Sequence, residues 1–144
     1  MNSAAVQSIS LRDASLLRER AFINGRWEPA RDVRTIAVVN PATGGVLGSV
    51  PNMGREETRA AIDAAQAALG GWSGLTAKER SRILRRWFDL MIENQDDLAT
   101  IMTLEQGKPL AESRGEIGYA ASFIEWYAEE GKRAYGDIVP THDR

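Results

Sequence analysis

Apolar and polar positions follow two different rhythms along this chain. The first is short and strand-like and runs to about residue 50. From Arg55 onward the rhythm is helical. Phe22-Ile23-Asn24-Gly25-Arg26-Trp27 predicts a hairpin, because Asn-Gly readily supplies the two positive-φ residues of a type I′ turn. A second strand is expected at Thr35 to Val39 and a third at Val46 to Val50. Asn40-Pro41-Ala42-Thr43-Gly44-Gly45 forms the turn between them, and Pro51 to Gly54 closes the segment. The expectation is a small antiparallel sheet.

After Arg55 the spacing predicts four helices with short connections. In the first, Thr58, Ala61, Ile62, Ala65, Ala68 and Leu69 make one stripe. Gly70-Gly71 is expected to stop this helix, and Trp72 to tuck into the core just beyond. Thr76 and Glu79 have the spacing of a capping box, and Ile83, Leu84, Trp87, Phe88 and Met91 are placed inward on the helix that follows. Asp96-Asp97 fall in the first turn of the third helix, where the dipole favours negative charge, and Leu98, Ile101 and Met102 form its apolar face. Gly107 ends it, since glycine accepts the left-handed conformation of a helix end.

The fourth helix organises the rest. It is predicted from about Leu110 to Lys132, with Pro109 suited to its first turn. Ile117, Ala120, Ala121, Ile124, Tyr127 and Ala128 make an apolar stripe. Tyr119, Phe123 and Trp126 make an aromatic one, and Ala111, Gly115, Gly118 and Ser122 a stripe of small residues suited to close backbone approach. A helix apolar or small over most of its circumference is a buried helix. The remaining residues are too few to bury it on several sides, so a partner chain or further sequence is expected to cover it. The fold class is thus α+β: a small antiparallel sheet followed by four helices.

Composition narrows the function classes. At 144 residues, 43% hydrophobic and 26% charged, the chain fits one domain of ordinary globular character. A net charge of −2 gives no reason to expect nucleic acid or an anionic membrane as partner. No apolar run has bilayer-spanning length and no secretory signal is visible, which leaves the cytoplasm as the expected location. There is no cysteine, hence no disulfide, zinc–thiolate site or thiolate nucleophile in these residues. The one histidine, His142, lies in a polar tail and reads as solvated.

Other motifs carry little chemistry on their own. Gly44-Gly45-Val46-Leu47-Gly48 lies between two strands, whereas a dinucleotide loop needs a strand before it and a helix after it. Gly107-Lys108-Pro109 lacks the rest of a phosphate loop. Lys78, Arg82, Arg85 and Arg86 share a helix face, a phosphate-binding candidate for which a plain solvated surface is the simpler reading. Glu105 sits in the last turn of its helix, where the dipole disfavours a carboxylate, so a cation, an arginine or a hydrogen-bond network is expected to compensate it. Tyr119, Phe123 and Trp126 are candidates for core, interface or channel wall. Residues 1–20 form an N-terminal arm in which Ser15 to Arg20 is either a short helix or a mobile segment, and Tyr135 to Arg144 an extended exit.

Several blocks, in order, resemble the N-terminal part of an aldehyde dehydrogenase. They are Asn24-Gly25-Arg26-Trp27, Asn40-Pro41-Ala42-Thr43-Gly44, Ala77-Lys78-Glu79-Arg80, Asp96-Asp97-Leu98-Ala99, Thr103-Leu104-Glu105-Gln106-Gly107-Lys108-Pro109 and Trp126-Tyr127-Ala128-Glu129-Glu130. The likeness covers about residues 20 to 140 and, across Met102 to Gly136, points to the bacterial succinate-semialdehyde dehydrogenases. It implies that residues 21–144 are the N-terminal part of an NAD(P)-binding domain in an α/β fold. It also implies oxidation of succinate semialdehyde, with NADP or NAD as cofactor and a cysteine nucleophile, and assembly as a homodimer or homotetramer. Glutarate semialdehyde is the rival substrate, and a stand-alone helical interaction module the rival function. The family's nucleophile, base and cofactor loops lie beyond Arg144, so these residues alone are expected to be a truncated, inactive portion. The resemblance further implies a monovalent cation held by backbone oxygens of Val38 and Val39 with the Glu105 carboxylate. It places Tyr119, Phe123 and Trp126 on a substrate-channel wall.

Overall fold

A computed structural model describes residues 8–137. His142 and the end of the expected exit segment lie outside them. Two antiparallel ribbons come first: β1 (Ala21–Ile23) with β2 (Arg26–Glu28), and β3 (Thr35–Val39) with β4 (Val46–Pro51). Four helices follow: α1 (Arg55–Ser73), α2 (Ala77–Glu93), α3 (Gln95–Gln106) and α4 (Leu110–Glu130). The antiparallel pairing arrives as two separate two-stranded ribbons. Asn24 and Gly25, at φ 49° and 78°, make the expected tight turn. In the arm, the short helical segment is a single 3-10 turn, Ala14–Leu16.

The second ribbon's turn is held by Asn40. Its side-chain oxygen accepts the Ala42 N–H at 2.9 Å, and its carbonyl accepts the Gly44 N–H at 2.8 Å. Pro41 then packs against the end of α3. A Cβ at Gly107 would sit 2.9 Å from Pro41 Cγ, and Gly107 has φ 75°. Both the backbone angle and the close approach require glycine there.

The core lies where α4 packs on α2 and α3. Ser113, Ile117, Ala121 and Ala128 are the buried residues of α4, Ser81 that of α2, and Asp97 and Ala99 those of α3. The small residues that permit close packing are thus Ser113, Ala121 and Ala128. The Ser113 hydroxyl, with no exposure, is 2.8 Å from that of Thr103. In the predicted small stripe, an added Cβ would meet nothing beyond the helix within 4 Å at Gly115 and only the Gln95 side chain at Gly118. In the predicted apolar stripe, Ala120 and Tyr127 are exposed, while Ile117, Ala121 and Ala128 are buried.

Three further expectations are corrected. Gly70-Gly71 does not stop α1, which continues to Ser73. Ser73 Oγ and the Gly74 N–H both bond the Gly70 carbonyl, and these caps offset the cost of two glycines, about 1 kcal/mol each. Trp72 lies in that helix and is exposed, because α1 meets the rest of the body chiefly at β1. On α2, Leu84, Phe88 and Met91 turn inward but Ile83 and Trp87 are exposed, since α4 and α3 cover only a narrow stripe of it.

Candidate functional site

The aromatic face of α4 is open. Tyr119 is 67% exposed, Phe123 47% and Trp126 61%. Tyr119 and Phe123 meet edge to face, with ring centroids 4.8 Å apart. All three line a cleft of about 670 Å³, together with Arg85 of α2 and Glu125, Glu129 and Arg133 at the end of α4. The residues that sequence reasoning singled out as a wall are therefore brought together on one surface.

The polar rim of this cleft is internally compensated. Arg85 donates to Glu125 at 2.7 Å and lies 3.3 Å from Asp89, while its guanidinium also stacks on Phe88. Arg133 pairs with Glu130. The Glu129 carboxyl is held below its usual range by the hydrogen bond from Lys132, with the positive charges of Lys132, Arg133 and Arg85 adding to it against the opposing effect of burial. Lys78, Arg82, Arg85 and Arg86 line a second, shallower cleft between α2 and the end of α4.

A third, ion-sized recess gathers Val38, Leu47, Gly48, Ser49 and Glu105 with Glu19 from the arm. Val38 and Glu105 both line it, whereas Val39 does not. Glu105 makes no hydrogen bond or ion pair among the described residues; Arg18 lines the same recess, with its guanidinium stacked over Trp27. A carboxylate beside backbone carbonyls is a donor set that suits a hard cation. Glu19 escaped the sequence reading. Its Oε1 accepts the Ser49 N–H at 2.8 Å and passes so close over Gly48 that a Cβ there would be 2.8 Å away. No pattern within the arm announces this contact, which spans thirty residues of sequence.

Asp97 was read as a dipole residue, and its main role is different. Buried at 7% exposure, it accepts the backbone N–H groups of Arg12 at 3.0 Å and Asp13 at 2.8 Å. It fastens the arm to α3. Next to it, Asp96 receives Arg114 at 2.8 Å and Arg12 at 3.6 Å.

Gly44 and Gly45 form a turn between β3 and β4, not a strand-to-helix loop, so they offer no seat for a dinucleotide. No group of three metal-binding His, Cys, Asp or Glu side chains occurs among the described residues, and none of their helices is long and apolar enough to cross a membrane.

Comparison with known proteins places this arrangement. Residues 27–144 match the family model described as the aldehyde dehydrogenase family. The chain is 66% identical to the glutarate-semialdehyde dehydrogenase of Pseudomonas putida and 65% identical to the NADP(+) succinate-semialdehyde dehydrogenase of Escherichia coli. Each match covers 93% of this chain and 28% of the relative. Among solved structures, an E. coli NADP-dependent enzyme superposes with a TM-score of 0.90 at 65% identity. The succinate-semialdehyde dehydrogenase of Burkholderia pseudomallei gives 0.90 at 63%. Both cover 93% of this chain and 28% of the other. The chain therefore spans little more than a quarter of the length of these relatives. The ordered motifs, the two ribbons followed by four helices, and these likenesses agree in one assignment: the chain belongs to the aldehyde dehydrogenase family.

Proposed function

We propose that this chain supplies one wall of the substrate channel in an NAD(P)-dependent dehydrogenase that oxidises succinate semialdehyde to succinate. The observation that carries the reading is the open aromatic face of α4, Tyr119, Phe123 and Trp126 on one cleft. Apolar rings left in water are costly, and a facing surface that completes a channel removes that cost. The high identity to semialdehyde dehydrogenases over nearly the whole chain supports the same reading.

In this reading residues 21–144 are the N-terminal part of the nucleotide-binding domain, and the complete enzyme is a cytoplasmic homodimer or homotetramer. The wall's task is to exclude water and orient the aldehyde. Its charged rim is internally paired, so a distal substrate carboxylate is held by groups contributed from elsewhere in the enzyme. The covalent step also lies elsewhere, because the chain has no cysteine. The 144 residues alone are inactive, and robust cofactor reduction by the isolated chain would overturn this. In the recess at Val38, a monovalent cation held by backbone oxygens and Glu105 ties the end of β3 to the end of α3.

A five-carbon substrate is the second reading, favoured by the 66% identity to a glutarate-semialdehyde dehydrogenase. Steady-state kinetics of the full-length polypeptide carrying this segment separates the two. A higher kcat/KM for succinate semialdehyde than for glutarate semialdehyde, and for NADP than for NAD, is expected. The reverse substrate order establishes the alternative.

A further inference from the structure

We propose that the basic cleft between α2 and the end of α4 is a binding site for a phosphate-chain anion. Lys78, Arg82 and Arg86 stand four residues apart on α2 and all face this cleft, which has a volume of about 420 Å³. Like charges at that spacing destabilise a helix, so the row gains from a countercharge.

The carboxylates already present do not provide it. Asp89 is engaged by Arg85 at 3.3 Å and Glu129 by Lys132 at 2.7 Å. Glu79 feels the charge of Arg82 but makes no ion pair with it, its carboxylate being held by the Thr76 N–H and hydroxyl at 2.8 and 2.7 Å. Arg86 reaches Glu93 only at 4.0 Å, with both side chains about two-thirds exposed. Lys78 and Arg82 have no hydrogen-bonded or ion-paired carboxylate among the described residues. Lys78 and Arg82 are therefore left without an ion pair, and Arg86 with only a long, exposed one, on one surface that two packed helices hold in place.

The spacing selects the ligand. Four residues of helix advance about 6 Å, so the row extends over about 12 Å. Two neighbouring cations are enough for a single phosphate, whereas all three engage only an elongated anion. Arginine forks and a lysine ammonium are the side chains that bind phosphoryl oxygens best.

The test uses the full-length polypeptide carrying this segment, with its dinucleotide site saturated by NADP. Inorganic pyrophosphate and inorganic phosphate are titrated by calorimetry into the parent and into a combined Lys78→Gln, Arg82→Gln, Arg86→Gln variant. Thermal melts are run in parallel. Pyrophosphate should bind the parent more tightly than phosphate does, and progressively less tightly as salt is raised. Each lost side chain should weaken it roughly tenfold. Without anion the variant should melt no lower than the parent, because the repulsive row is gone. Only the parent should gain from pyrophosphate. Equal binding by parent and variant, no binding by the parent, or equal affinity for phosphate and pyrophosphate would each overturn the proposal.

Discussion

The carboxylate of Asp97 accepts the backbone N–H of Asp13 at 2.8 Å, and its second oxygen accepts that of Arg12 at 3.0 Å. A single buried side chain on α3 thus anchors an arm more than eighty residues earlier in the chain. Hydrogen bonds to a charged partner contribute about 1.5–3 kcal/mol, and losing them leaves two amides to find water. Asp97→Ala should lower the denaturant midpoint by a corresponding amount, with Asp97→Asn in between, because one acceptor oxygen remains. Amide exchange at Arg12 and Asp13 should speed up in step. Unchanged protection at both amides would show that the arm is held by something else.

Val33 has φ 55° while its side chain is 77% exposed. A β-branched residue rarely adopts this conformation, and it costs about 1–2 kcal/mol. Asparagine tolerates it and loses little burial here. Val33→Asn should therefore stabilise the protein by about 1 kcal/mol. The check is a side-by-side thermal melt, and a variant that melts no higher than its parent refutes the strain.

At the start of α2, Glu79 has its carboxyl held below the usual value of 4.5 by the hydrogen bonds from the Thr76 hydroxyl and then the Thr76 N–H. A depressed carboxyl contributes stability above its unfolded value and loses it as pH falls through the folded one. The parent should keep this contribution down to about pH 4.5 and lose it progressively below. Glu79→Gln keeps an acceptor but cannot titrate. Unfolding midpoints followed into acid should therefore show parent and variant converging below that pH. Parallel curves would remove Glu79 from the acid response.

Trp126 separates packing from function. At 61% exposure its removal should change stability by no more than about 0.5 kcal/mol. As part of a channel wall it should matter far more to the substrate. Trp126→Ala in the full-length polypeptide should cost about 1–2 kcal/mol of transition-state binding, roughly a tenfold loss in kcat/KM. Normal kcat/KM in a normally stable variant would take Trp126 off the wall.

Much of this architecture is legible in the residues themselves. The Asn24-Gly25 turn, the Thr76–Glu79 box and the Gly107 stop are local devices, and each stands where its chemistry requires. Periodicity alone misassigned Trp72, Ile83 and Trp87, because an apolar position says that burial is favourable, not which surface delivers it. Gly70-Gly71 misled because local capping outweighs propensity. Asp97 and Glu19 act on backbone amides far away in sequence, and no short-range pattern encodes such a contact. The aromatic stripe was legible as a group, but its exposure depended on how narrow the packed side of α4 turned out to be.

Where Pro41 rests on the bare Cα of Gly107, two connections from opposite halves of the chain share one point of contact. A methyl group at residue 107 would collide with that ring, so this close approach depends on glycine. Val38 and Glu105, two or three residues before this contact in sequence, line one recess. Two connections far apart in sequence approach each other through a missing side chain, and enlarging residue 107 would push them apart.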